Sequence, residues 1–252
     1  MSSLLLDSWI MFKRCLLTSM RNPEALAMAT ITPFFLMLLF GTVFGSIANI
    51  EGVNYIDFII PGIILQSVAQ AAQYSAINIT TDMTKGIIDR FRSMPISKYS
   101  FLVGHLGAGV VRNTITTSVI IATAFLIGFR PSAGFIEWLI IIGFLLLIII
   151  AMSSIAVLCG LLSKTAEGTS GLMFPLFILP FVSSGFAPTE TLPKLIRWFA
   201  EVQPMTPIID TIRNLMLNIS LGNEVWIALA WCVGIILVAF FSAANVYKRK
   251  LS

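Results

Sequence analysis

Residues 82–99 read DMTKGIIDRFRSMPISKY, a charged passage between two long apolar runs, and they decide what kind of chain this is. Met83, Ile87, Phe91 and Met94 recur at helical spacing with Ile88 beside them, while Asp82, Lys85, Asp89 and Arg92 fall on another face. Residues three and four apart are neighbours on a helix surface, so the pattern predicts a short amphipathic helix beginning near Asp82. Pro95 ends it, because proline lacks the amide donor and crowds the preceding turn. A short helix with one apolar and one charged face, set between lipid-soluble runs, is shaped to be held by headgroups or by another protein.

The surrounding composition supplies the lipid. Hydrophobic residues make up 57% and charged residues 11% of the 252 positions, against roughly 45–50% and 25% in soluble domains. This is the composition of a membrane protein, and 1–252 reads as a single transmembrane domain. The net charge of +4 and the pI near 9.1 do not indicate nucleic acid, since no basic face carries interleaved aromatics; loop topology accounts for them. Cys15, Cys159 and Cys232 are far apart and lack any C-x-x-C pairing, so neither a disulfide framework nor a zinc site is indicated. At the start, the apolar Leu4, Leu5 and Leu6 precede Lys13 and Arg14, the wrong order for a cleaved signal peptide.

Working outward, residues 1–23 predict an interfacial helix, with Leu5, Trp9, Phe12, Leu16 and Met20 on one stripe and Ser3, Asp7, Arg14, Thr18 and Arg21 on another. It serves either as an anchor or as a second contact for a partner. Six apolar stretches long enough for a core of roughly 30 Å follow, near 25–48, 58–80, 104–128, 136–162, 168–188 and 225–246. Within 189–224, Thr191 with Pro193, and then Thr206 with Pro207, read as two helix starts. Leu195, Ile196, Phe199 and Val202 share a face on the first helix, and Ile208, Ile209, Ile212, Leu215 and Met216 are the apolar residues of the second. Both are expected to dip onto the outer membrane surface.

Lys13, Arg14, Arg21, Lys85, Arg90, Arg92, Lys98, Lys164, Lys248, Arg249 and Lys250 fall on one side of this layout, and Arg130, Lys194, Arg197 and Arg213 on the other. The positive-inside rule then puts both termini and residues 82–99 in the cytoplasm of a multi-pass plasma-membrane protein. His105 and Arg112 share a face of the third span. A guanidinium at the bilayer centre costs at least about 2.5–3.5 kcal/mol, so Arg112 is expected to snorkel to the inner interface.

The layout resembles the membrane subunit of ATP-binding-cassette type-2 exporters, in particular the daunorubicin-resistance-like permease branch. The likeness rests on Arg21-Asn22-Pro23 closing the first helix, on Lys85-Gly86 through Arg92 to Met94-Pro95-Ile96-Ser97, and on Leu192-Pro193 through Pro204-Met205-Thr206-Pro207 with Asp210 and Arg213. It implies an all-α fold of six spans, in which 82–99 is a coupling helix that seats on an ATPase subunit through Lys85, Gly86, Asp89, Arg90, Arg92 and Ser93. It also implies two ATPase subunits and a second permease, in a homodimer or with a similar chain. ATP and magnesium would sit on the ATPase, with no cofactor on this chain. Independently, the sequence has no G-x-x-x-x-G-K-[ST] loop to cradle nucleotide phosphates.

Inside the membrane, Gln66, Gln70 and Gln73 form one stripe on the second span. Amides facing lipid would be unsatisfied, so the stripe faces protein or a watery path. It either hydrogen-bonds between helices or lines the substrate route. Phe174, Phe177 and Phe181 stripe the fifth span between Pro175 and Pro180, as packing or as substrate contacts. Gly41 and Gly45 form a G-x-x-x-G pair suited to a dimer contact. The leading function is export of hydrophobic or amphipathic small molecules, as in drug efflux and antibiotic resistance; export of a lipid or lipid-linked glycan is the alternative. An intramembrane enzyme lacks support, because His105 has no glutamate beside it, no paired intramembrane aspartates occur, and Asp82 and Asp89 are expected in a loop.

Overall fold

The structure, a computed structural model, describes residues 2–20, 23–43, 49–50, 53–86 and 100–251. Among them the chain is helical apart from turns and one two-residue ladder. The helices are α1 (Ser2–Met20), α2 (Pro23–Val43), α3 (Tyr55–Thr84), α4 (Ser100–Ile127), α5 (Phe135–Leu162), α6 (Ala166–Ile178), α7 (Lys194–Val202), α8 (Met205–Met216) and α9 (Glu224–Leu251). Between α2 and α3, β1 (Asn49–Ile50) pairs antiparallel with β2 (Val53–Asn54), Ile50 opposite Val53. With no water in the bilayer core to satisfy backbone groups, a helix that bonds its own backbone is the form such apolar sequence takes.

Four helices are long and apolar enough to cross a membrane among the described residues: Tyr55–Thr84, Ser100–Ile127, Phe135–Leu162 and Glu224–Lys250. Their 27 to 30 residues span about 40–45 Å, more than the hydrocarbon layer of about 30 Å. The stretch expected at 168–188 is shorter here, and residues 44–48 of the one expected at 25–48 lie outside the described residues. The described apolar part of α2 is Thr30–Val43 and that of α6 with its 3-10 extension is Ala166–Val182. Pro180 falls in that 3-10 turn, Leu179–Val182, where a proline ring is tolerated and an α-helix is not continued.

α3 is the axis. Residues 57–72 are buried all round it, because other helices enclose it on every side, its glutamine stripe included. Ile59, Ile60, Ile63 and Ile64 of α3 join Met37 of α2, Ile141 and Ile148 of α5 and Met173 of α6 in one core. A second, smaller core holds Met11, Phe101, Leu102, Leu161 and Tyr247. Where α3 meets α5 and α6, the Thr80 hydroxyl lies 3.0 Å from the Gly160 carbonyl oxygen and 2.7 Å from the Thr169 hydroxyl.

The two short helices expected within 189–224 are present as α7 and α8, starting close to Pro193 and Thr206, but their caps and the burial of the second differ from the sequence signals. Thr191 does not cap α7; its hydroxyl donates to the Pro188 carbonyl at 2.7 Å, and Pro193 occupies the cap position. Thr206 lies inside α8, its hydroxyl donating to the Ala200 carbonyl at 2.5 Å and accepting from the Ser184 amide at 3.4 Å. α7 keeps Leu195, Ile196, Phe199 and Val202 exposed, whereas Ile208, Ile209, Ile212, Leu215 and Met216 of α8 are buried. α8 is thus part of the bundle and not a surface helix.

Candidate functional site

The expected amphipathic helix does not begin at Asp82. Asp82, Met83 and Thr84 complete the last turn of α3, and the Lys85 amide closes it on the Thr81 carbonyl at 3.1 Å. Gly86 follows with φ of 68°, a left-handed conformation that glycine takes without the Cβ clash other residues meet. The sequence pattern placed Asp82 one element too late because 3.6-residue periodicity runs unbroken through a glycine stop. Asp89, Arg90, Arg92 and Ser93 lie outside the described residues.

At this root of the 82–99 segment, three helices meet. Arg14 of α1 reaches both oxygens of Asp82, Nη1 to Oδ2 at 3.3 Å and Nη2 to Oδ1 at 3.4 Å. His105 Nε2 of α4 is 3.4 Å from the same Oδ2. α1 comes this close because α4 offers glycine: a Cβ at Gly104 would lie 2.7 Å from Met11 Cβ and 3.0 Å from the Phe12 amide nitrogen. Ser8 meets Ser100 in the same register. The buried line of α1 is therefore Ser8, Met11, Cys15 and Ser19, while Leu6, Trp9 and Leu17 are exposed. Helix packing buries Met11 with three small residues, while Leu6, Trp9 and Leu17 face outward. Arg112 does not snorkel; it is buried at 7% exposure, and its Nε has no hydrogen-bond partner among the described residues.

At the other end of α3, Arg213 of α8 holds three elements. Its Nη1 donates to Asp210 Oδ1 at 2.6 Å, its Nε to the Phe58 carbonyl at 3.1 Å, and its Nη2 to the Ser184 carbonyl. Ser184 Oγ donates to the same Asp210 oxygen at 2.6 Å. Burial raises the Asp210 carboxyl above its ordinary value, an effect opposed by Arg213 and by the Ser184 hydroxyl. Gln203 Nε2 donates to the Leu179 and Val182 carbonyls at 3.3 and 3.2 Å, tying α7 and α8 to the 3-10 turn.

The glutamine stripe turns into the protomer. Gln66 is fully buried and neither amide atom has a hydrogen-bond partner among the described residues. Gln70 Nε2 donates to Thr32 Oγ1 of α2 at 3.3 Å, while Gln73 is half-buried. Thr32 lines an open groove of about 540 Å³ along α2 with Ile31, Phe35, Leu36 and Leu39. Phe181 stacks on Phe186 at 4.8 Å, Phe186 meets Phe40 of α2 at 5.1 Å, and Phe177 lies 5.9 Å from Phe181. Phe174 stands apart, 57% exposed. Phe186, Phe40 and Thr32 carried no periodic signal of their own, and only the fold brings them to the predicted residues. Gly41 has Ile56 of its own protomer 3.5 Å from its Cβ position; Gly45 lies outside the described residues.

A bundle of apolar helices stapled at both ends by part-buried ion pairs defines an integral, polytopic membrane protein. Residues 7–217 match the family model described as ABC-2 type transporter, and the chain belongs to that family. It is 28% identical over 243 residues to the daunorubicin resistance ABC transporter permease protein DrrB1 of Streptomyces coeruleorubidus, covering 94% of this chain and 84% of that one. The probable doxorubicin resistance ABC transporter permease protein DrrC of Mycobacterium tuberculosis is 24% identical over 222 residues, 88% and 80% of the two chains. The inner membrane transport permease YadH of Escherichia coli is 25% identical over 223 residues, 86% and 84%.

Proposed function

We propose that this chain is the permease subunit of an ATP-driven exporter of hydrophobic or amphipathic small molecules, moved by a separate ATPase subunit that docks on residues 82–99. Residues 1–252 act as one six-span domain with both termini in the cytoplasm. Two such permeases assemble with two ATPase subunits, which supply the ATP and magnesium chemistry. The observation that carries this reading is the union of α1, α3 and α4 through Arg14, Asp82 and His105 at the root of the segment. With that union, a displacement of Lys85 and Gly86 is also a displacement of three helices. A push does work only if the ATPase in one nucleotide state binds one permease conformation more tightly than the other.

Gln66, Gln70 and Gln73, the groove along α2 and the aromatic run from Phe177 to Phe40 form the substrate path in this reading, and the Arg213 clamp closes its far end. The drug-resistance names of the relatives favour small molecules over lipid-linked glycans as cargo. The test is co-purification of the tagged chain with a soluble ATPase. Gly86→Trp and Arg90→Glu are expected to lower subunit binding and ATP turnover at least about tenfold, the equivalent of about 1.4 kcal/mol; unchanged binding and turnover would overturn the assignment.

A further inference from the structure

Cys15, Asp82 and His105 are 67 and 23 residues apart along the chain, yet three different helices bring them to one point. One ligand atom from each, the Cys15 Sγ, an Asp82 carboxylate oxygen and a His105 ring nitrogen, all lie within 4.8 Å of one another. His105 is 7% exposed, and its Nε2 is directed to Asp82 Oδ2 at 3.4 Å without forming a hydrogen bond. Its ring is fixed against Phe101, centroids 4.4 Å apart. A buried imidazole nitrogen facing a carboxylate and a thiol, with no hydrogen bond of its own, is a donor set in search of a shared acceptor.

We propose that Cys15, Asp82 and His105 bind a transition-metal cation of the zinc(II) class, joining α1 to the root of the 82–99 segment. The donor set is sulfur, nitrogen and oxygen. Thiolate with imidazole selects zinc-like cations over magnesium or calcium, which take oxygen ligands. Bonds of about 2.0–2.3 Å in a tetrahedron put ligand atoms roughly 3.3–3.8 Å apart, so small rotamer adjustments bring this group to the required spacing. Binding releases the Cys15 proton to solvent and requires His105 neutral. The bound cation, one thiolate and one carboxylate sum to zero charge, which removes most of the repulsion from Arg14 beside Asp82.

Arg14 has a place in this arrangement. With the metal on Oδ2, Nη2 keeps its contact to Oδ1, the type of outer hydrogen bond that orients a ligating carboxylate. Asp82, 17% exposed on its side chain, gives the cation its way in, and the fourth coordination position is left to water.

The test is a titration of the full chain in detergent with cobalt(II), a spectroscopic substitute for zinc, followed by competition with zinc(II). A sulfur-to-cobalt charge-transfer band saturating at one cobalt per chain is expected. Cys15→Ser should abolish it, Cys159→Ser and Cys232→Ser should leave it, and His105→Gln should weaken binding at least about tenfold. Folded wild-type protein without the band, or a band unchanged in Cys15→Ser, would overturn the site. If Cys15→Ser does not fold, Asp82→Asn and His105→Gln decide the matter by the same band. The readout needs no ATPase, so its outcome is independent of the coupling assignment.

Discussion

The guanidinium carbon of Arg213 lies 3.9 Å from the centroid of the Phe58 ring. The same side chain donates to the Phe58 and Ser184 carbonyls and to Asp210, so one residue on α8 fixes the start of α3 and the turn that follows α6. Arg213→Met removes a buried cation that satisfies three acceptors and leaves Asp210 buried beside an apolar chain. The expected loss is about 3–5 kcal/mol of stability, read as a lower thermal unfolding midpoint in detergent. Arg213→Lys keeps the charge but not the fork of donors and is expected to recover only part of the loss. A variant with wild-type melting would show that the clamp is not structural.

Asp210 gives that clamp a pH dependence with a defined sign. Burial raises its carboxyl in the folded protein above the unfolded value of 3.8. A group whose folded pKa is raised contributes stability that is complete below the unfolded pKa and is lost as pH rises through the folded one. The stability of wild type minus that of Asp210→Asn is therefore expected to fall as pH rises from about 4 through the raised folded pKa. Paired melting curves over that range check it; a difference that grows with pH would contradict the burial argument.

Gln66 separates packing from passage. A buried amide without a partner costs about 1–3 kcal/mol, so Gln66→Leu, close in volume, is expected to raise the unfolding midpoint while lowering substrate-stimulated ATPase activity of the assembled complex. Gln70→Leu loses the bond to Thr32 and should cost about 0.6 kcal/mol, with a larger change in substrate stimulation than in expression. Loss of folding with unchanged substrate response in either variant would assign the stripe to helix packing alone.

Membrane class, the helical fold and the long spans were legible in composition and in the length of apolar runs, because lipid leaves the backbone few alternatives. The placement of Asp82 was not, since a glycine in the left-handed region stops α3 without interrupting the apolar repeat. The buried face of α1 was also hidden. Hydrophobicity marked Leu5, Trp9 and Phe12, while the buried line runs through Ser8, Met11 and Cys15, with Met11 packed on Gly104. Thr206 and Pro207 read as a helix start and do stand in the first turn of α8, but the bridge Thr206 makes between Ala200 and Ser184 is a tertiary contact that local sequence does not encode. The Cys15, Asp82 and His105 cluster is of the same kind, assembled from three helices by packing.

The central claim is that force enters the bundle through residues 82–99. It is tested most directly by cross-linking from Lys85→Cys, in a background with Cys15, Cys159 and Cys232 replaced, within a transport-active membrane assembly. The account predicts a cross-link to the ATPase subunit whose yield changes between the nucleotide-free and ATP-bound states. A transport-active assembly with no such cross-link, or one in which position 85 reacts only with reagents outside the cell, would contradict it.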